Sequence, residues 1–367
     1  LLLLVAVFLA GATTSAASLR QSQDINLSQF WRAYELIKSQ YVGSLDKEKA
    51  AEGATRGLVE SLGDPYSAYL SADEQKNLEE ELSGTFEGIG AELVEKNGQV
   101  TIVAPLSSTP AEAAGLKPND VIINVDDRST ENMSVEQVVK IIRGPKDSTV
   151  KLTIWRQGEE GSLELTITRG IIKIDSVRYR MIGDIGYMEI RQFGDDTVGL
   201  ASAGLAELAG QSPKALIIDL RNNPGGYLDA VPPIAGMFIP PSVVTVEKFR
   251  SGQEQEVRSS AVPSQPKLPL YVLVNSGSAS AAEILAGCLQ DYQRATLVGE
   301  KTFGKGSVQD IISLKQGALR LTIAEWLTPN KREINKVGIE PDVKVEGDKT
   351  ETADPILDKA LELARAN

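Results

Sequence analysis

Leu270-Tyr271-Val272-Leu273-Val274-Asn275-Ser276-Gly277-Ser278-Ala279-Ser280 runs from an apolar strand straight into a loop of small residues, and a helical stretch, 281–290, follows at once. A second junction of this kind lies upstream, where Ala215-Leu216-Ile217-Ile218-Asp219-Leu220 enters Arg221-Asn222-Asn223-Pro224-Gly225-Gly226. Short continuous apolar runs bounded by Gly, Pro, Asn and Ser are the pattern of strands covered on both faces. Strands and helices alternate from Ile171 onward, which predicts an α/β domain with a largely parallel sheet. In such sheets ligands bind beyond the carboxyl ends of the strands, at helix N-termini. The two loops are therefore where chemistry is expected.

Upstream of Ile171 the period is two. Ile89, Ala91 and Leu93 alternate with polar positions, Asn97-Gly98 is a tight hairpin signal, and a strand resumes at Val100-Thr101-Ile102. A short helix over 109–116, a strand at 120–125, a helix capped by Ser134 and strands at 150–156 and 163–169 complete a self-contained module. Before Gly84 the pattern is helical. Phe30, Tyr34, Ile37 and Tyr41 share one face, a second helix runs over 47–62, and Ser71-x-x-Glu74 is a capping box opening an acidic third. This region reads equally as a small helical domain, a dimerisation arm or a surface extension of the next domain.

The N-terminus, LLLLVAVFLAGATTSAAS, carries no charge before Arg20. Its apolar run is short of the roughly 20 residues of a full span. With Thr14-Ser15-Ala16-Ala17 as an A-x-A-like cleavage region, it is expected to be an export signal or a membrane anchor whose start is missing. Either places the protein outside the cytoplasm.

Composition removes whole classes of function. Lys and Arg total 38 and Asp and Glu 50, a formal charge of −12, so the basic face that nucleic acid requires is not expected. There is no histidine and one cysteine, Cys288. That excludes a Ser-His-Asp triad, a Cys-His dyad, His-liganded zinc, an internal disulfide and a cysteine cluster. No P-loop or metal constellation is present, and no cofactor is expected. Catalysis must use carboxylates, lysine, tyrosine or hydroxyls.

Ser276, Ser278 and Ser280 all lie where backbone N–H groups could stabilise a developing oxyanion. The plainer reading is a Ser/Gly/Ala loop that caps a helix, with Glu283 completing the cap. A serine needs a base, and lysine serves only when neutral, which burial promotes. Lys305 sits between two glycines in Gly299-Glu300-Lys301-Thr302-Phe303-Gly304-Lys305-Gly306. Lys301 competes but follows Glu300 and reads as solvated. Cys288 reads as a buried free thiol, Asp219 and Arg221 as an ion pair or otherwise structural residues, and the acidic run 73–81 as a solvated helix face.

Three segments resemble the signature blocks of the carboxyl-terminal processing peptidases, also called tail-specific proteases: Asp219–Gly226, Asn275–Ile284 and Phe303–Gln309. Thr328-Pro329 with Gly338-Ile339-Glu340-Pro341-Asp342 resembles that family's end block, and Asp64-Pro65-Tyr66-Ser67-Ala68-Tyr69-Leu70 its N-terminal block. The likeness runs in order from about residue 28 to 345. It implies Ser280 as nucleophile, Lys305 as general base, Gln309 as the hydrogen-bonding partner that orients the lysine amine, and the amides of Ala281 and of one glycine in the Pro-Gly-Gly turn, Gly226 ahead of Gly225, as the oxyanion hole. The middle module resembles a PDZ domain, in which Gly88-Ile89-Gly90-Ala91 would capture a terminal carboxylate and the following strand would accept a peptide. Ala282 stands where the family frequently has Ser, and Asn330-Lys331-Arg332 where it has a Gly-Arg turn.

The expected fold is thus α/β and multi-domain, with a crotonase-like protease core, an inserted PDZ-like domain and an N-terminal helical segment. The expected boundaries are 1–20 for the leader, 27–84 helical, 85–170 PDZ-like, 171–346 core and 347–367 a helical tail. The expected partners are protein substrates with free C-termini, a membrane through the leader, and a second copy through the N-terminal helices. The rivals are a non-catalytic PDZ scaffold with an inactive core and a crotonase-like enzyme acting on small thioesters.

Overall fold

The structure is a computed structural model describing residues 26–96, 98–259, 268–347 and 353–366. The expected leader and Asn97 of the hairpin signal lie outside the described residues. Two compact units divide at Gly63/Asp64.

In the first unit, helix Ser28–Gln40 buries none of its side chains, and the foreseen stripe stays open, with Phe30 and Ile37 exposed. Phe30, Trp31 and Tyr34 stack edge to face along it. Helix Lys47–Glu60 starts at Asp46, whose carboxylate accepts from the amides of Glu48 and Lys49. That is ordinary N-capping chemistry.

The second unit opens with the short strand Ala68–Leu70 and then helix Ala72–Ser83, where Ser71 and Glu74 exchange the two bonds of the expected capping box. The β-rich module follows. Strand Thr85–Gly88 pairs antiparallel with Gly170–Lys173, so the chain enters and leaves the module through one two-stranded ribbon. Between them lies a sheet in the order Ala91–Lys96, Gln99–Pro105, Val121–Val125, Thr149–Trp155, Ser162–Thr168. Its inner face packs Ile102, Ile122, Leu152 and Ile154 against Val138 and Ile142 of helix Val135–Ile142. Ala91–Lys96 is an edge strand, paired on one side only among the described residues.

The core sheet has the order Val177–Ile182, Ile185–Ile190, Ala215–Asp219, Leu270–Val274, Thr296–Gly299, Val343–Lys344 among the described residues. Its first pair is antiparallel and the rest are parallel. Leu216 and Ile218 face helices Thr197–Gly210 and Ala281–Asp291, while Ile217 and Leu273 face helix Pro355–Ala366. Both faces are covered, which is why these strands read as unbroken apolar runs. The foreseen helical tail is therefore a layer of the core, with Ile356, Ala360, Leu361 and Ala364 buried. Arg221 fixes its start, bonding Asp219 and Asp354 at 2.6 Å each, so the expected ion pair has a third member.

A second, antiparallel sheet went unread in the sequence. Ala68–Leu70, Ala318–Leu327, Val243–Phe249 and Glu254–Arg258 lie in that order, and Ser307–Ser313 pairs with Ala318–Leu327. This sheet carries the lysine loop.

Candidate active site

The three loop serines differ in what their hydroxyls can do. Ser278 is buried, donates to Leu220 O at 2.7 Å and accepts from Asn275 N at 3.0 Å, so it is a joint between two strand ends. Ser276 is exposed. Ser280 immediately precedes helix Ala281–Asp291 with φ 55° and ψ −118°. Such a backbone costs a side-chain-bearing residue about 1–3 kcal/mol and persists only when its surroundings enforce it. Here the enforcement includes Glu283, whose Oε2 accepts from Ser280 N at 2.9 Å. The strained turn presents the residue at a helix N-terminus, where backbone amides favour negative charge.

Across from it lies the Pro-Gly-Gly turn. Gly225 has φ +103°, and a Cβ there would sit 2.7 Å from Ser280 Cβ. Gly226 has φ +135°, and a Cβ there would sit 2.1 Å from Phe193 O. Glycine is required at both for shape and for space. The Gly225 amide is engaged, donating to Asn223 Oδ1 at 2.8 Å. The amides of Gly226 and Ala281 have no acceptor among the described residues, which favours Gly226 over Gly225 as an oxyanion donor.

Glu283 does more than complete a cap. Fully buried, it also accepts from Thr302 Oγ1 at 2.6 Å, Gly304 N at 2.7 Å and Lys305 N at 2.9 Å. One carboxylate thus binds the Ser280 turn to the lysine loop. The cap was legible locally, but the tie to residues 19 to 22 positions away was not.

The Lys305 carbonyl accepts from Trp326 Nε1 at 3.0 Å, and its amine lies over the Tyr66 ring, 5.2 Å from the centroid. Burial holds the amine below the usual lysine range. The Arg320 guanidinium adds to that, and Glu283 and Asp64 oppose it. No hydrogen bond joins this amine to Ser280 or Gln309 in the structure. Gln309 Nε2 donates to Ser307 Oγ at 2.9 Å and Thr322 Oγ1 at 3.2 Å, which leaves Oε1 as the atom that could accept from a lysine amine. Thr322 is its cross-strand partner and Ser307 lies two residues back on the same strand, so both hydroxyls are in easy reach. Lys301 pairs with Glu340 at the surface, 3.3 Å apart, as a solvated lysine would.

Cys288 is fully buried, and burial, with the Asp291 charge adding, pushes its thiol up to about 12. A maleimide should therefore leave the native protein unmodified and label it only on unfolding. Rapid labelling of native protein would contradict the packing of this helix.

In the β-rich module, Ile89 O accepts from Ala111 N at 2.8 Å, and Gly90 O accepts from Leu106 N at 2.9 Å and Thr109 Oγ1 at 3.0 Å. With their carbonyls pinned, Ile89 and Gly90 leave amides that have no acceptor among the described residues. Arg143 stands beside this loop, its guanidinium 4.6 Å over the Phe86 ring. A groove of about 1410 Å³ is lined by Phe86, Val139 and Arg143 on the module side and by Gln192, Arg221 and Asn222 on the core side.

Comparison with known proteins decides the family. A probable CtpA-like serine protease of Staphylococcus haemolyticus is 37% identical over 356 residues, covering 94% of this chain and 71% of that protein. The chain belongs to peptidase family S41. The S41 profile matches residues 184–345, a PDZ domain profile 78–155, and the profile of the activating protease CtpB N-terminal domain 9–74. A probable CtpA-like serine protease of Staphylococcus aureus is 36% identical, over 93% of this chain and 69% of that one. Among solved structures, the photosystem II D1 C-terminal processing protease matches this S41 peptidase with a TM-score of 0.55, 28% identity and 86% of each chain covered. An S41 protease of Bacteroides fragilis shares the fold, with a TM-score of 0.59 at 17% identity over 92% of this chain and 97% of that one. The S41 peptidase is a serine protease of the C-terminal processing kind, and its PDZ domain is a module of the class that binds peptide C-termini.

Proposed function

We propose that this serine protease is an endopeptidase cutting protein substrates near their C-termini through a Ser-Lys dyad. Ser280 Oγ attacks the scissile carbonyl carbon while Lys305 Nζ takes its proton. The amides of Gly226 and Ala281 receive the oxyanion. Lys305 then gives the proton to the leaving amine as the C–N bond breaks. Water attacks the acyl-enzyme with Lys305 again accepting and returning a proton. To reach Ser280 the amine must leave the Tyr66 ring, and Gln309, with its amide nitrogen engaged, offers Oε1 as an acceptor along the way.

The observation that carries this reading is the buried Glu283 carboxylate, bonded to the amides of both Ser280 and Lys305. It makes the two loops one assembly. A serine-directed phosphonate probe should label Ser280 and no other residue. A panel of peptides and small acyl-thioesters should give turnover on peptides alone. Absence of labelling in folded protein would favour the scaffold rival, and turnover of thioesters the second.

The PDZ module is proposed to read and deliver the substrate tail. In support, the free Ile89 and Gly90 amides sit in the Gly88–Ala91 loop next to an open edge strand, and the groove reaches Asn222, three residues before Gly225. A substrate ending in a free apolar carboxylate should be cut about 10-fold faster at low concentration than its amidated twin. Charge-assisted bonds are about twice as strong as neutral ones, and about 1.4 kcal/mol is a factor of 10. Equal rates would remove carboxylate reading. The same module could gate the cleft when empty. An extracytoplasmic location, tethering through residues 1–20, pairing of copies through the open face of Ser28–Gln40, and no nucleic-acid partner complete the reading. Among the described residues no helix is long and apolar enough to cross a membrane.

A further inference from the structure

We propose that Tyr66 is a positioning residue for the base, its ring face holding the charged form of the Lys305 amine in a docked place apart from the Ser280 hydroxyl. The proposal rests on Lys305 being the base. The amine lies 5.2 Å from the ring centroid, within the range at which an aromatic face attracts a cation. The ring is held by its own backbone. Tyr66 N donates to Asp64 Oδ1 at 3.1 Å and Tyr66 O accepts from Arg320 Nε at 3.0 Å. Ser67 Oγ donates to Asp64 Oδ2 at 2.6 Å and accepts from Thr322 N at 3.0 Å. Immediately after, Ala68–Leu70 is zipped to Ala318–Arg320. Thr322 also accepts from Gln309. One strand therefore fixes both the ring that docks the amine and the glutamine proposed to receive it.

The charged groups facing the amine are Asp64 from the same turn, Arg320 from strand Ala318–Leu327 and Glu283 from helix Ala281–Asp291. Tyr66 differs from them in acting through its ring face, which attracts the ammonium and not the neutral amine. While protonated the lysine stays docked, and on losing its proton it loses that attraction and is free to turn to Ser280. The Tyr66 hydroxyl has no partner among the described residues, so phenylalanine supplies all that the role needs.

The test installs Tyr66→Phe and then a graded series of fluorinated phenylalanines at 66 in the full chain. Fluorination weakens the ring face while keeping shape and burial, so it avoids the folding risk of Tyr66→Leu. Two readouts are taken: the acid limb of kcat/KM against pH, and competitive acetylation of Lys305 by trace acetic anhydride, read by mass spectrometry. Weakening an interaction that favours the ammonium lowers the pH at which the base becomes available. Tyr66→Phe should leave both midpoints in place. The fluorinated series should move both stepwise to lower pH, by about 0.5–1 unit in all. A moving acetylation midpoint with a stationary activity limb would support docking and refute Lys305 as the base. An acetylation midpoint that ignores fluorination overturns the proposal, whatever the activity does.

Discussion

Ser280→Ala and Lys305→Ala should each lower kcat by about four to six orders of magnitude, with the double variant little worse than either single one. The expectation follows from how the pieces are held. The Ser280 turn and the lysine loop share the Glu283 carboxylate, while the free amides of Gly226 and Ala281 sit at the Ser280 turn. Without Ser280 no acyl-enzyme forms. Without Lys305 the proposed base is gone, and the chain has no histidine to stand in for it. Residues acting as one unit fail together, so their losses do not add. Turnover of a fluorogenic peptide by purified, folded variants is the measurement. More than a hundredth of wild-type activity in Ser280→Ala would end the assignment.

Glu283→Gln should cost more stability than any other isosteric change near the site. Its carboxylate accepts four bonds, one from the Thr302 hydroxyl and three from backbone amides, which can donate but not accept. Either orientation of a glutamine amide turns N–H toward at least one backbone N–H. Losing a hydrogen bond to a charged group costs about 1.5–3 kcal/mol, and a stranded buried donor adds to it. We therefore expect about 3–5 kcal/mol of destabilisation and a kcat about 100-fold to 1000-fold lower. KM should change little, because neither loop's substrate-facing surface is altered. Thermal melts and steady-state kinetics measure the two effects separately. Wild-type kcat in a destabilised Glu283→Gln protein would show that the carboxylate supports the fold without setting the geometry of catalysis.

The legible parts of the sequence were those whose partners are near in the chain. The run Leu270–Val274 and the small residues after it announced a strand, a turn and a helix, and Glu283 three residues after Ser280 announced a cap. The antiparallel sheet was illegible for the opposite reason. Its short strand Ala68–Leu70 pairs with Ala318–Arg320 across about two thirds of the chain, and strand Ala318–Leu327 mixes Arg320 and Glu325 among its apolar residues. Nothing local marks Tyr66 as a neighbour of Lys305. Likeness named Gln309 as a partner for the lysine amine, but nothing local foretold that cross-strand register would engage its amide nitrogen with two hydroxyls and leave Oε1 for that role. The three serines could not be separated by type or spacing. Burial and one backbone angle separated them.

The ribbon that joins the PDZ module to the rest, with Thr85 opposite Lys173 and Gly88 opposite Gly170, has a consequence in chain entropy. Paired residues in an antiparallel ribbon lie about 5 Å apart. For the core, everything between these strands is one long excursion that begins and ends at nearly the same point. An unstructured excursion would charge the core a closure cost that grows, slowly, with its length. Here the module's own apolar interior closes the excursion, so the core inherits a preformed hairpin in place of a long loop. The core's folding is thereby insulated from what the module contains, and the module's peptide-reading surface can diverge in sequence without altering the residues that hold Ser280 and Lys305 together.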